Sequence, residues 1–135
     1  MNIRYMASGI FAAAVVFIVG ASASAQQQTV TRTELLRVPI EGIQGREGVV
    51  YTADFPPGAA APHHTHPGQE FIYVVEGSIV IESDGMAAQT IKAGETATNP
   101  EGHAHLVRNA SDSAPAKVLA FVLAEKGKPL ATPAP

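Results

Sequence analysis

Beyond residue 25 the chain reads as short runs in which apolar and polar residues alternate with a period of two, and no stretch carries a helical period of useful length. Each run is bounded by Gly, Pro, Asn or Asp, the punctuation of strands and turns. Leu35-Leu36-Arg37-Val38-Pro39 predicts an edge strand that ends at the proline, which removes a ladder donor. Residues 48–55, GVVYTADF, predict a second strand running into Pro56-Pro57-Gly58. Residues 69–76 are the most apolar run: Glu70, Ile72 and Val74 share one face, Phe71, Tyr73 and Val75 the other, so both faces need cover. SIVIES at 78–83 alternates, Asp84-Gly85 predicts a two-residue hairpin turn, 86–91 returns, and 92–95 turns again. Residues 103–109 and 117–124 predict the last two strands. The fold class is therefore all-β, a sandwich or barrel of short strands.

The two ends fall outside this pattern. Residues 1–25 carry Arg4 and no acid, an apolar run at 10–20 too short to span a bilayer, and Ala23-Ser24-Ala25 ahead of Gln26. That arrangement predicts a cleaved signal peptide, a periplasmic or secreted location, and no stable membrane anchor after cleavage. With no twin-arginine pair, export as an unfolded chain is expected, so any metal would be acquired outside the cytoplasm. Residues 26–32 are polar and expected to be loose, 26–126 to form one domain, and 127–135, rich in Pro and Ala, to form a disordered tail. Charge and cysteine narrow the function classes. With 9 Lys+Arg against 12 Asp+Glu the net charge is −3 and no basic patch is present, which argues against nucleic acid or an anionic membrane as partner. Cysteine is absent, which excludes disulfides, thiol catalysis and zinc-finger sites.

The chemistry concentrates in two stretches. In residues 58–77, GAAAPHHTHPGQEFIYVVEG, strand alternation aims His64, His66 and Glu70 to one side and turns His63 to the other, toward a rim or the surface. In residues 94–109, GETATNPEGHAHLVRN, His105 follows a Pro-x-Gly turn and supplies a fourth donor. Three imidazoles and one carboxylate suit one divalent transition metal ion, Fe, Mn, Ni, Cu or Zn, and not a thiolate-seeking one. Such an ion would polarise a substrate oxygen and, if redox-active, exchange electrons with O2. Glu70, loosened from the metal, would be the proton acceptor; His103 shares the parity of His105 and is the candidate second proton carrier, with a surface position weighed equally because parity lapses at the Gly102 turn. Tyr51 and Tyr73 are read as core, Asn109 as a turn-bonding side chain, and Gly58, Gly77, Gly94 and Gly102 as corner residues.

The spacings Gly58-x5-His64-x-His66-x3-Glu70-x6-Gly77 and Gly94-x5-Pro100-x-Gly102-x2-His105-x3-Asn109 resemble the two signatures of the cupin superfamily. The resemblance implies a small double-stranded β-helix, the cupin jelly-roll barrel, with His64, His66, Glu70 and His105 as metal ligands. It implies no single reaction. A metal-dependent oxidoreductase of the dioxygenase or oxidase type, acting on a small oxygenated molecule, is the leading expectation, with germin-like oxalate oxidation or superoxide dismutation as a subtype. A non-redox lyase, decarboxylase or isomerase and a non-catalytic ligand- or metal-binding module are the alternatives. The outer face of the 69–76 strand, together with the resemblance, leads to the expectation of a homodimer.

Overall fold

The structure is a computed structural model and describes residues 28–135. The signal-peptide expectation lies outside the described residues. Ten strands follow one another: β1 (Thr31–Pro39), β2 (Arg46–Phe55), β3 (Ala60–Thr65), β4 (Gly68–Glu76), β5 (Ser78–Ser83), β6 (Gln89–Lys92), β7 (Thr96–Asn99), β8 (His105–Asn109), β9 (Ala116–Glu125) and β10 (Thr132–Pro133). They form two antiparallel sheets, ordered β1-β2-β9-β4-β7 and β10-β3-β8-β5-β6, with no helix among the described residues. This is the all-β sandwich that the alternation predicts.

The core lies between the sheets and is built by that alternation. Val49, Tyr51, Ala53 and Phe55 of β2, Ile72 and Val74 of β4, and Val118, Ala120 and Val122 of β9 face Ile79, Ile81, Ile91 and Val107 of the second sheet. A strand half-buried in this way gains about 1.5–3 kcal/mol for each large apolar side chain removed from water. The opposite face of the first sheet stays open: Phe71 and Tyr73 are each 46 % exposed, and Phe71 stacks on Phe121, its register partner in β9, at 6.1 Å between ring centroids. Close approach of β4 and β9 requires glycine at 68, because a Cβ there would stand 1.9 Å from the Leu123 carbonyl oxygen. Gly77 ends β4 with φ +69° against the Pro115 carbonyl, where a side chain would be both strained and crowded.

Three local expectations are corrected. The Asp84-Gly85 turn exists, closed by a bond from the Met86 N–H to the Ser83 carbonyl at 3.0 Å, but the β5–β6 ladder ends at Ile81↔Gln89, so the connection is longer than two residues. Thr31 and Arg32 belong to β1, whose register with β2 begins at Thr31↔Asp54, so the strand starts within the segment expected to be loose. The tail at 127–135 is ordered: β10 pairs with β3 through Thr132↔Thr65 and Pro133↔His64, and Leu130 packs on the core. The physical reason is the free edge of β3, whose backbone groups need partners, and an apolar Leu130 that gains from burial.

Asn109 ties the corner where β2, β8 and the 110–115 loop meet. Its Nδ2 donates to the carbonyls of Phe55, Pro56 and Ala114 at 2.8–3.1 Å, and its Oδ1 accepts from the Ser111 N–H at 2.9 Å. Asn109→Ala is expected to cost about 1–3 kcal/mol by leaving buried backbone groups unpaired. A thermal melt should show a Tm lower by roughly 4–8 °C per kcal/mol; an unchanged Tm would contradict the assignment.

Candidate metal centre

The centre is assembled across both sheets. His64 on β3 and His105 on β8 are register partners in the second sheet, and His66 lies in the link where the chain crosses to β4 in the first. One ring nitrogen of each of the three lies within 4.8 Å of the other two, and all three residues are buried. Glu70 enters from β4 in the opposite sheet, with Oε1 3.3 Å from His66 Nε2 and Oε2 3.7 Å from His105 Nε2. The four residues singled out as ligands are thus brought together.

Each imidazole is oriented by the backbone. Nδ1 of His64 bonds the Pro62 carbonyl at 2.7 Å, Nδ1 of His66 the Leu130 carbonyl at 2.6 Å, and Nδ1 of His105 the His103 carbonyl at 3.0 Å. A carbonyl only accepts, so each Nδ1 carries a proton, and in the neutral, metal-binding form of each ring Nε2 keeps a lone pair toward the centre. For His66 and His105 that Nε2 is buried and has no hydrogen-bond partner among the described residues. Burial pushes His64 down to about 4 and lowers His105, with neighbouring imidazoles adding to both shifts, so both are neutral at pH 7, the form that binds metal.

Glu70 is held in place from two sides. Tyr51 Oη donates to Oε1 in a short bond, and Asn99 Nδ2 donates to Oε2 at 2.6 Å. Burial alone would raise its carboxyl, but His66, the bonds from Tyr51 and Asn99, and His105 outweigh it and hold the group below the usual range. Burial, reinforced by the Glu70 charge, raises Tyr51 far above the ordinary phenol range and keeps its hydroxyl a donor. The core reading of Tyr51 is therefore only half of its role. Asn99 was not singled out from sequence; its signal is the β4–β7 register, Glu70↔Asn99, which a single sequence does not reveal.

The remaining histidines stand apart. His63 points outward and bonds Asp84 Oδ1 at 3.0 Å and the Pro135 carbonyl at 2.7 Å, as the opposite parity predicts. His103 does not join the cluster: its Nε2 bonds the Asp84 carbonyl at 2.9 Å on an exposed hairpin. The turn at 100–102 breaks the alternation, and β8 begins only at His105, so shared parity with His105 carries no information about His103.

The donor set fits a divalent ion on its chemistry: lone pairs from neutral imidazoles meet an ionised carboxylate, all acceptors, around a cavity of about 20 Å³. That is room for about one ion or water. Acceptors facing one another in a dry interior are stabilised only by a cation or proton between them.

A family model for the cupin domain matches residues 51–122, more than half of the chain. The chain belongs to the cupin domain family. Among curated proteins it is 35 % identical over 79 residues to germin-like protein subfamily 3 member 1 of Arabidopsis thaliana, covering 55 % of this chain and 38 % of that one. It is 31 % identical over 95 residues to the rhicadhesin receptor of Pisum sativum, covering 67 % and 43 %. The cupin chain thus spans less than half the length of either relative. Among solved structures, an oxalate oxidase in complex with glycolate superposes with a TM-score of 0.63 at 24 % identity, over 77 % of this chain and 54 % of that one. A cupin-like protein from Thermotoga maritima gives 0.63 at 22 %, over 78 % and 75 %, and a DMSP lyase from Ruegeria pomeroyi 0.58 at 21 %, over 64 % and 42 %. At these identities the structural likenesses establish the fold.

Wild-type protein is expected to lose Tm when a chelator is added, because an ion bound only by the folded state stabilises it. Asn99→Ala, which frees Glu70 Oε2, should weaken metal binding by about 10–100-fold. His105→Ala should abolish the chelator effect. Thermal melts with and without chelator check the first and third, and calorimetric titration with Zn²⁺ or Mn²⁺ the second; full-affinity binding by His105→Ala would remove that residue from the ligand set.

Proposed function

We propose that the chain is an exported, metal-dependent oxidoreductase of the dioxygenase or oxidase type that acts on a small oxygenated molecule. The observation that carries this reading is the pair of buried, unpartnered Nε2 atoms of His66 and His105 facing the Glu70 carboxylate. His64, His66, His105 and Glu70 would hold one divalent transition ion. When bound, that ion supplies Lewis acidity to a substrate oxygen and, if redox-active, electron exchange with O2. The protein supplies the rest. The three backbone-bonded imidazoles keep the donor atoms aimed without rearrangement, and the apolar walls of Ala53, Phe55, Ile72, Ile79, Val107 and Val118 exclude water. Glu70 takes the proton of a substrate hydroxyl at a carboxylate oxygen while Tyr51 and Asn99 keep that carboxylate at the centre. No step is assigned to His103.

The similarity to germin-like proteins and to the fold of an oxalate oxidase that binds glycolate puts hydroxy acids and dicarboxylic acids first among substrates to test. Metal-loaded protein is expected to consume O2 with at least one member of a panel of small carboxylic acids, enols and phenols, followed with an oxygen electrode. Turnover that proceeds equally well without O2 would instead support a lyase or isomerase.

Export and self-association complete the reading. The Arg4 and Ala23-Ser24-Ala25 pattern supports secretion to the periplasm or beyond. The outer face of the first sheet, with Phe71, Tyr73, Leu119 and Phe121 exposed along an apolar cleft, supports a homodimer. Sedimentation should give a dimer mass for wild type and a monomer for the double variant F71E/F121E; a monomeric wild type at micromolar concentration would overturn it.

A further inference from the structure

One cation at the centre is not explained by the metal site. Arg32, on β1, extends its Nη2 to within 3.2 Å of His64 Nε2, the lone pair that a metal ion would need. Arg32 forms no ion pair with a carboxylate among the described residues, although Arg37, Arg46 and Arg108 each do. It lines the inner cavity together with Tyr51, His64, Glu70 and His105. It also lines an adjoining outer groove of about 210 Å³ with Pro62, His63, His64, Ala131 and Pro133. The side chain therefore stands at the junction between the place for an ion and the place for a small molecule.

The charges point to what that molecule carries. Three imidazoles in the metal-binding neutral form, one carboxylate, a divalent ion and one guanidinium would leave the centre with two uncompensated positive charges, and Glu70 is the only acid among the described residues lining the inner cavity. Arg32 and a metal ion would also compete for His64 Nε2, so metal binding would release Nη2 of the guanidinium at the mouth. A planar fork of N–H donors beside a cation is matched by a carboxylate, which accepts from the fork with one edge and keeps lone pairs for the centre.

We infer that Arg32 is a specificity-determining residue that binds the carboxylate of an anionic substrate at the mouth of the centre. The inference rests on the metal-dependent reading above and narrows its substrate class to small carboxylic acids. It has a reciprocal signature: because Arg32 opposes the metal and attracts the anion, a carboxylate strengthens metal binding and metal strengthens carboxylate binding.

The test uses Co²⁺-loaded protein titrated with acetate and with its neutral isostere acetamide, followed by the visible spectrum of the ion. Wild type should bind acetate in preference to acetamide. Arg32→Gln should lose about tenfold or more in acetate affinity, as expected when a charge-assisted bond is removed. It should also take up Co²⁺ at least as tightly as wild type when no carboxylate is present. Arg32→Lys, which keeps the charge but not the fork, should fall between. Equal acetate affinity in wild type and both variants, with Co²⁺ bound normally, would overturn the role of Arg32. Failure of wild type to bind Co²⁺ at all would instead overturn the metal centre on which it rests.

Discussion

Three imidazoles and a carboxylate are buried together with every inward-facing atom an acceptor, and this repulsion is what the surrounding structure is arranged to tolerate. The backbone carbonyls of Pro62, Leu130 and His103 claim all three Nδ1 protons, so in the neutral form of the rings no N–H is left to place between imidazole and carboxylate. Glu70 in turn receives hydrogen bonds from Tyr51 and Asn99, one at each carboxylate oxygen. An unpaired buried acceptor costs about 1–3 kcal/mol, so two such atoms at Nε2 of His66 and His105 are a sizeable fraction of a small domain's stability. A cation removes that cost. An ion bound at this set would for that reason couple metal binding to folding.

The coupling also reaches across the sandwich. His64 and His105 belong to the second sheet, while Glu70, Tyr51 and Asn99 belong to the first, through β4, β2 and β7. His66 sits in the crossing between them. An ion held by this set would tie the sheets together at one end of the core, opposite in role to the Asn109 corner, where hydrogen bonds alone join β8 to the end of β2. The apolar layer between has only modest side chains, mostly Val, Ile and Ala, so polar ties at its ends carry more of the burden of fixing a unique arrangement.

The strands were legible because period-two alternation survives in each buried run, and β5 was read to the residue as Ser78–Ser83. The grouping of His64, His66, His105 and Glu70 was legible for a different reason than alternation alone supplies. β3 has a register shift between Ala61 and His64, and the chain changes sheets after His66, so parity from 64 through to 70 is interrupted. The spacing of the two signatures carries the geometry that parity cannot. At His103 parity lapses, because the turn at 100–102 resets which way a side chain points, and its Nε2 bonds the Asp84 carbonyl instead. Asn99 and Tyr51 were out of reach as partners of Glu70, since cross-strand pairing depends on register, which one sequence does not specify. The tail looked disordered from its prolines and alanines; the free edge of β3 and the single apolar Leu130 decide otherwise.

The family match runs from 51 to 122 and contains all four candidate ligands together with Tyr51 and Asn99. Two groups that touch those ligands lie outside it: Arg32, against His64 Nε2, and the Leu130 carbonyl, against His66 Nδ1. The matched segment therefore supplies donors that family membership already implies, whereas the flanking strands decide what surrounds them. The segment leading into β10 bonds one imidazole from behind through Leu130 and, with Ala131 and Pro133, walls the groove; β1 sets a positive charge at its entrance. The surroundings of the four candidate ligands are therefore set in part by residues outside the matched segment, on the two edges of the sandwich.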